Sequence, residues 1–234
     1  MKRIVFLLVL GAILGSCNDM GDSVKDYVTD ETVYPGKFDF AIGKTGYENV
    51  EIDLLRAGRI PASKIHLGKA KKTVVEYGAD KPLVLDSVCS WVKVTGLTQR
   101  TTYKFSIYTM DEYGNKSVPV EVFQSPYTAA EKDALAIPVP VIDRGVTSAT
   151  VQWRQNITSV SLTYLGLTYS YTDKDGTPTE GALGATPAQP SFTVENIPAT
   201  GVTLNMRYRV IPKVNNTQII DTLWLERPLL IPAQ

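Results

Sequence analysis

The stretch TYKFSIYTMDEYGNKS, residues 102–117, gives the clearest indication of the fold. Its first half alternates apolar Tyr103, Phe105 and Ile107 with polar residues, and its second half contains the pair Gly114-Asn115. Alternation with a period of two predicts a strand with one buried face. A glycine-containing pair after such a strand predicts a hairpin turn. The stretch therefore predicts two antiparallel strands.

The same alternation recurs from Tyr34 onward, where helix-period patterns are nearly absent. The other runs are Val50-Ile52-Leu54, Val118-Val120-Val122, Ala149-Val151-Trp153, Leu167-Tyr169-Tyr171 and Leu204-Met206-Tyr208-Val210. Lys64–Leu67 also fits a strand, with Ile65 and Leu67 pointing inward. Many short strands separated by turn residues indicate an all-β sandwich fold.

One break interrupts this pattern, at residues 129–138, where the alternation stops and a proline follows. We therefore predict a β-sandwich over residues 34–128 (domain 1), a linker over 129–138 and a second β-sandwich over 139–234 (domain 2). Each piece has about the size of a seven-stranded sandwich.

The N-terminus predicts export and lipidation. Two cations, Lys2 and Arg3, precede the apolar run Ile4–Gly15, which ends at Ser16-Cys17. This pattern is typical of a signal peptide, here residues 1–16, and the run is shorter than the roughly 20 residues that span a bilayer. Leu14–Cys17 resembles a bacterial lipobox, which implies that Cys17 is lipidated and anchors the chain to the membrane. An ordinary secretory signal is the alternative.

Residues 17–33 are acidic and contain few large apolar side chains, so they predict a tether. Acidic residues directly behind a lipidated cysteine are also similar to a surface-export signal. A solvated linker and an export signal both fit this segment.

Composition limits the chemistry. The 24 Lys and Arg residues balance the 24 Asp and Glu residues, which argues against a nucleic-acid partner. One His and two Cys residues do not predict a metal site. With Cys17 lipidated, Cys89 has no partner for an intramolecular disulfide. Because the chain also lacks a glycine-rich phosphate loop, we expect no cofactor.

Two segments resemble fibronectin type III domains. Trp91–Leu97 aligns with Ser191–Ile197 in the spacing of its apolar residues. Tyr103 follows a Gly-Leu pair at the distance of the fibronectin corner tyrosine, and Ser148–Trp153 is similar to the fibronectin strand that carries a core tryptophan. The resemblance implies two tandem fibronectin-III/immunoglobulin-like β-sandwiches.

That resemblance is architectural, because each half departs from it at one position. Leu54 stands where domain 1 would carry the core tryptophan, and Leu204 stands where domain 2 would carry the corner tyrosine.

Ordered phrases along the chain also resemble a Bacteroides-type surface lipoprotein family of unknown function. They are Tyr34-Pro35-Gly36-Lys37, Tyr103–Ser117, Tyr171–Gly176, Arg207-Tyr208-Arg209 and Asp221-Thr222. Genes of such proteins often lie beside outer-membrane glycan-uptake systems. The resemblance implies a lipid-anchored outer-membrane protein, on the cell surface or on the periplasmic face, that assists an outer-membrane protein complex. It supplies no ligand.

No catalytic constellation stands out, and we expect a non-enzymatic protein. A Ser-His-Asp triad would need His66, which we place on the solvent face of a strand. The acidic residues fall on outer faces or in turns, although a glycosidase with two paired carboxylates stays a third option. Asp173–Gly176 begins like a calcium loop but lacks the later glutamate, so it favours a hairpin turn.

Outward-facing aromatic residues are the candidate ligand contacts, because sugars stack on aromatic rings. The predicted registers place Trp91 and Tyr108 outward, whereas Trp224 alternates with Leu223 and Leu225 and its side is undecided. Burial is the alternative for each aromatic. We expect an accessory binding module for extracellular glycan, such as a polysaccharide. The rival is a structural spacer, an adhesion element or a subunit held by protein contacts.

Overall fold

The computed structural model describes residues 34–79, 81–187 and 189–234. The predicted signal peptide, Cys17 and the acidic tether lie outside these residues. The described part of the chain is almost entirely β-strand, which confirms the predicted all-β fold. None of its helices is long and apolar enough to cross a membrane.

Two sheets form domain 1. Their strands are β1 (Ile42–Gly46), β2 (Asn49–Asp53), β3 (Lys72–Tyr77), β4 (Leu83–Leu85), β5 (Trp91–Thr95), β6 (Tyr103–Met110) and β7 (Val120–Gln124). One sheet has the order β1-β2-β5 and the other has the order β4-β3-β6-β7. All neighbouring strands are antiparallel.

The core of domain 1 lies between these sheets, where the apolar members of each alternating run point inward. The side chains that are at most 2% exposed include Val50, Ile52, Leu54, Val92, Val94, Phe105 and Ile107. Because successive strand residues point to opposite faces, burial of these residues turns Glu51, Asp53 and Trp91 to the outer face of the three-stranded sheet.

Domain 2 repeats this arrangement with a longer second sheet. Its strands are β8 (Val141–Arg144), β9 (Ala149–Gln152), β10 (Leu162–Thr172), β11 (Pro178–Gly184), β12 (Ser191–Val194), β13 (Val202–Val214), β14 (Thr217–Gln218), β15 (Leu223–Glu226) and β16 (Leu229–Ile231). The small sheet has the order β12-β9-β8, and the large sheet runs β11-β10-β13. Strands β14, β15 and β16 each pair with a different part of β13.

An aromatic group fills the core of domain 2. Trp153 is 1% exposed, as the fibronectin-like strand predicted. Its ring lies 6.1 Å from the ring of Tyr208, edge to face, and 6.2 Å from Phe192. Its indole Nε1–H donates to the Pro138 carbonyl at 2.9 Å. The core of domain 2 therefore depends on one large side chain more than the core of domain 1 does.

Two strand predictions in domain 1 are wrong. Ala62–Lys64 is a 3₁₀ turn, and the residues after it form a loop in which Ile65 and Leu67 pack partly against the core without joining a ladder. Val118 is 66% exposed and lies outside β7. The reason is Pro119, which has no N–H to donate to a ladder, so the strand begins after it.

The domains meet at a hydrogen-bonded junction. Tyr127 forms a parallel bridge with Tyr47 and packs into the core of domain 2. From domain 2, Asp221 Oδ2 accepts hydrogen bonds from the Tyr47 backbone N–H at 2.7 Å and from Asn49 Nδ2 at 3.0 Å. Asn49 is 5% exposed, so this bond lies in a protected place.

A short helix, α1 (Ala129–Asp133), occupies the predicted linker. The carboxylate of Glu131 accepts a hydrogen bond from the Thr128 backbone N–H and lies 3.2 Å from Arg100 Nε of domain 1. Arg227 of domain 2 donates to the carbonyls of Asp133 and Leu135, both at 3.3 Å. The linker is thus bonded to both domains.

Candidate functional site

The three predicted aromatic contacts lie on three different surfaces. Trp91 is on β5 of the small sheet of domain 1, Tyr108 is on β6 of the large sheet of that domain, and Trp224 is on β15 of domain 2. Their exposed fractions are 37%, 6% and 39%. Trp91 and Tyr108 therefore do not share one exposed patch, because they lie on opposite sheets of domain 1.

The prediction that Tyr108 is exposed is wrong. The residue lies outside the core cluster, as the alternation requires, but neighbouring long side chains cover it. Its hydroxyl donates to Glu76 Oε1 at 2.7 Å, and Lys116 Nζ lies 4.7 Å from the ring centroid. Glu76 is on β3 and Lys116 follows the turn after β6, so only the assembled sheet brings this cover together.

Trp91 is partly exposed, and an arginine lies over its ring. The Arg59 guanidinium lies 4.1 Å from the ring centroid. Arg59 Nε binds Asp53 Oδ1 at 3.0 Å, and its Nη2 binds Glu51 Oε2 at 2.5 Å. Lys93 lies 3.6 Å from Glu51. Trp91 therefore belongs to a network of charged side chains on the outer face of the small sheet of domain 1.

Asp53, on the outer face beside Trp91, does not suit general-acid catalysis. Burial alone would raise the pKa of Asp53, but hydrogen bonds and charge interactions with Lys44 and Arg59 outweigh it, so the pKa is lowered. A glycosidase needs one carboxyl group whose pKa is raised so that it can donate a proton. Asp53 is shifted in the opposite direction.

Trp224 points to the outer face of the large sheet of domain 2. Its neighbours Leu223 and Leu225 are 8% and 1% exposed, which settles the side that alternation left undecided. The Arg207 guanidinium lies 5.1 Å from the Trp224 ring centroid, and Arg207 Nε lies 3.5 Å from Glu226 Oε1.

Small residues line the sheet beside Trp224. The register aligns Gly184, Gly166, Arg209 and Trp224 across β11, β10, β13 and β15. The next row is Ala182, Thr168, Arg207 and Glu226. Two adjoining hollows, of about 290 and 480 Å³, open on this face. We call the surface formed by these eight residues the sheet trough.

A β-bulge produces the floor of the sheet trough. The register between β10 and β13 shifts between Tyr164 and Gly166. Gly166 has φ +132°, a conformation that favours glycine, and a Cβ there would lie 2.6 Å from the Leu183 carbonyl oxygen. A Cβ at Gly184 would meet nothing within 4 Å. The missing side chain at Gly166, which is buried, lets β11 approach closely, and the missing side chain at Gly184, which is exposed, leaves open space on this face.

Polar groups surround this floor. Arg209 Nη2 donates to the Leu165 carbonyl at 3.2 Å, and Arg209 forms no salt bridge within the described chain. Glu180 and Asn205 lie at the far end, on either side of Ser170. An exposed indole, two arginines and several hydroxyl or amide groups therefore face one shallow depression.

Two further hollows, of about 470 and 510 Å³, lie at the domain junction. They share Thr45, Gln124, Val214 and Asn215. The polar groups there bind one another: Gln124 Nε2 donates to Thr45 Oγ1 at 2.6 Å, and Thr45 Oγ1 donates to the Ser125 carbonyl at 3.0 Å. These bonds hold the fold, so the sheet trough is the better candidate site.

The remaining predicted residues fall outside the sheet trough. His66 is exposed in a loop. Asp173 Oδ1 accepts hydrogen bonds from the backbone N–H groups of Asp175 and Thr177, at 2.9 and 2.8 Å, within a turn between β10 and β11. Cys89 is a half-buried free thiol. The described residues contain no group of three His, Cys, Asp or Glu side chains that could hold a metal ion.

Residues 17–219 match the family DUF4998, a domain of unknown function. The chain belongs to this family. That result confirms the predicted membership of a family of unknown function. No curated protein matches the DUF4998 chain significantly.

Solved structures, among them fibronectin type III domains, are similar to the DUF4998 chain. A two-domain fibronectin type III segment of chicken tenascin is 14% identical, with 85% of this chain and 100% of that chain covered and a TM-score of 0.30. The FN1–FN3 domains of chicken CNTN1 are 13% identical, with 83% and 67% covered and a TM-score of 0.32. Chitinase ChiA74 of Bacillus thuringiensis is 10% identical, with 84% and 29% covered and a TM-score of 0.32. These values carry no inference about function.

Sequence reasoning found Trp224 but missed the surface around it. The available signal was the set of glycines inside the alternating segments at Gly166, Gly181 and Gly184. A glycine within a strand often marks a bulge or a close approach of another molecule.

Proposed function

We propose that this DUF4998 protein is a non-enzymatic, glycan-binding accessory module of the bacterial cell envelope. The observation that carries the proposal is the exposed indole of Trp224 at the end of a glycine-floored trough. An aromatic ring offers an apolar face for stacking on a sugar, and its surroundings supply hydrogen bonds to the hydroxyl groups. Trp224 has both features, whereas Tyr108 is covered.

The small residues of the sheet trough support binding of an extended chain. The floor residues Gly166, Gly184, Ala182 and Thr168 lie on two neighbouring strands, so a polymer can lie across them without displacing a large side chain. Arg207 and Glu226 border this path and offer donors and acceptors. The trough is open along its length, which suits an internal segment of a polysaccharide.

An affinity-gel screen tests this function. The secreted chain from Asn18 onward is run through gels that contain neutral or acidic polysaccharides, beside Trp224→Ala and Trp91→Ala. We expect retention by at least one polymer, loss of retention in Trp224→Ala, and unchanged retention in Trp91→Ala. Retention by no polymer, with both domains folded, would overturn the proposal.

The proposal also includes an envelope anchor at Cys17. Lipidation there would place the described domains beside an outer-membrane uptake complex, on an acidic tether. In cells, Cys17→Ser is expected to move the protein from the detergent phase to the aqueous phase in phase partition. Mass spectrometry of the mature N-terminus would show acyl chains on Cys17 in the wild type. An unmodified N-terminus would support an ordinary secretory signal.

A structural spacer is the second candidate, and the domain junction favours it. Asp221, the Tyr47–Tyr127 bridge and α1 join the domains by hydrogen bonds, and α1 also makes an ion pair with domain 1. A stiff junction would hold domain 2 at a fixed distance from the membrane. This role is compatible with glycan binding at the sheet trough, and small-angle scattering that shows one fixed domain arrangement would support it.

A further inference from the structure

Charge is unevenly compensated at the Trp224 end of the sheet trough. Arg207 and Glu226 lie 3.5 Å apart, so their charges offset each other. Arg209 has no salt bridge within the described chain and donates one hydrogen bond, to the Leu165 carbonyl. A guanidinium carries five N–H donors. Arg209 therefore has donors and a positive charge left for a ligand.

Arg209 is also the direct neighbour of Trp224. The two residues are paired in register across β13 and β15. Directly opposed residues of antiparallel strands have Cβ atoms about 4.5–5.5 Å apart. On the other side of Arg209, β10 contributes Gly166, which has no side chain. A sugar ring stacked on Trp224 would thus place its substituents beside the guanidinium.

From this arrangement we propose that the sheet trough binds a uronic-acid polysaccharide, with Trp224 stacking on the sugar ring and Arg209 binding its carboxylate. The inference rests on the proposed glycan-binding function and specifies the class of its ligand. A planar carboxylate matches the planar donor fork of arginine, and hydrogen bonds between charged groups are the stronger ones. A neutral polysaccharide would leave the Arg209 charge uncompensated.

The test compares polymers that differ only in their carboxyl groups. Gels contain polygalacturonate, alginate or hyaluronate, each beside its carboxyl-reduced form, and dextran sulfate serves as a general polyanion. We expect the wild-type chain to bind a uronate polymer more tightly than its reduced form. Arg209→Gln should weaken uronate binding about tenfold or more and remove the preference for the uronate polymer over its reduced form. The uronate affinity of Arg209→Lys should lie between those of the wild type and Arg209→Gln, because lysine keeps the positive charge but lacks the planar pair of N–H donors.

A matched control comes from domain 1. Arg59 lies beside a surface tryptophan, Trp91, but its charge is offset by the carboxylates of Glu51 and Asp53, so Arg59→Gln should not change uronate binding. Circular dichroism of each variant confirms that it is folded.

Any of four outcomes would overturn the inference. Equal binding to uronate and reduced polymers, with loss in Trp224→Ala, would refute the role of Arg209 and leave the proposed function standing. Equal binding to dextran sulfate, or a loss in Arg59→Gln, would indicate general attraction of anions. Retention by neither acidic nor neutral polymers would overturn the proposed function as well.

Discussion

Two tryptophans on the surface, Trp91 and Trp224, have nearly the same exposure but different surroundings. Each has an arginine over its ring. Beside Trp91, the outer face carries the row Lys44-Glu51-Lys93, whose long side chains form ion pairs. Beside Trp224, the sheet carries Gly166 and Gly184. The residues across the sheet therefore decide whether an outward-facing aromatic side chain is available to a ligand.

The same contrast extends to the cores. The buried core of domain 1 consists of aliphatic residues with Phe38 and Phe105, whereas domain 2 packs Tyr208 and Phe192 around Trp153. Both cores support the same strand order. The two domains can therefore be perturbed separately, and a loss of ligand binding can be assigned to one of them.

The largest expected effect is that of Trp153→Ala. Removing a buried tryptophan costs about 3–5 kcal/mol of the free energy of unfolding, and the Pro138 carbonyl also loses its donor. Urea unfolding, monitored by circular dichroism, measures this loss of unfolding free energy. The matched variant in domain 1 is Leu54→Ala, which should cost about 2–5 kcal/mol. Glycan retention should disappear when domain 2 unfolds and persist when only domain 1 does. Retention that persists when domain 2 unfolds and disappears when domain 1 unfolds would place the site in domain 1.

Asp221→Ala should have the next largest effect. The substitution leaves the Tyr47 N–H without its acceptor and removes one of the two acceptors of Asn49 Nδ2. A buried donor left without its partner costs about 1–3 kcal/mol, and thermal unfolding measures it. Asp143→Ala is the control, because Asp143 is exposed on β8 and such changes stay within about 0.5 kcal/mol. Equal effects of the two variants would mean that the junction does not couple the domains.

A large side chain placed in the sheet trough tests whether the small residues beside Trp224 are what distinguishes it from Trp91. A side chain at Gly184 has open space in front of it, so Gly184→Leu should fold normally. The leucine would occupy the floor beside Trp224, and we expect polysaccharide binding about tenfold weaker, or about 1.4 kcal/mol. Isothermal titration with the retained polymer measures the change. Unchanged affinity would show that the ligand does not cross the glycine floor.

The sequence predicted the two sandwiches well, because alternation and turn residues act locally. It also predicted, from the alternating run Leu204-Met206-Tyr208-Val210, the buried face of β13, which the structure confirms, and Arg207 and Arg209 lie on its outer face. It did not predict the cover over Tyr108, since Glu76 lies 32 positions away in the chain. The sheet trough could not be predicted from the sequence either, because it depends on the register of four strands and on the bulge at Gly166. Local alternation predicts whether a side chain points into the core or outward. The register between distant strands decides which side chains are its neighbours.

The smallest expected effect is that of Arg59→Met, which uncovers Trp91. Because the pKa of Asp53 is lowered in the folded protein, its ion pairs contribute stability above the unfolded pKa of about 3.9. That contribution is lost as the pH falls through the folded pKa. The variant should lose at most about 1 kcal/mol at pH 7, since the pairs are partly exposed, and show a weaker loss of stability in acid than the wild type.

The same variant tests why we expect Trp91 not to bind polysaccharide. Either Arg59 covers its ring, or the neighbouring strands lack the small residues that lie beside Trp224. Quenching of tryptophan fluorescence by acrylamide should increase in Arg59→Met, which would show that the Trp91 ring has been uncovered. If its surroundings decide availability, polysaccharide affinity should stay unchanged, because Lys44, Glu51 and Lys93 still occupy the neighbouring sheet. A second binding site gained in Arg59→Met, and lost again in the double variant with Trp91→Ala, would mean that Arg59 alone had kept Trp91 from the ligand.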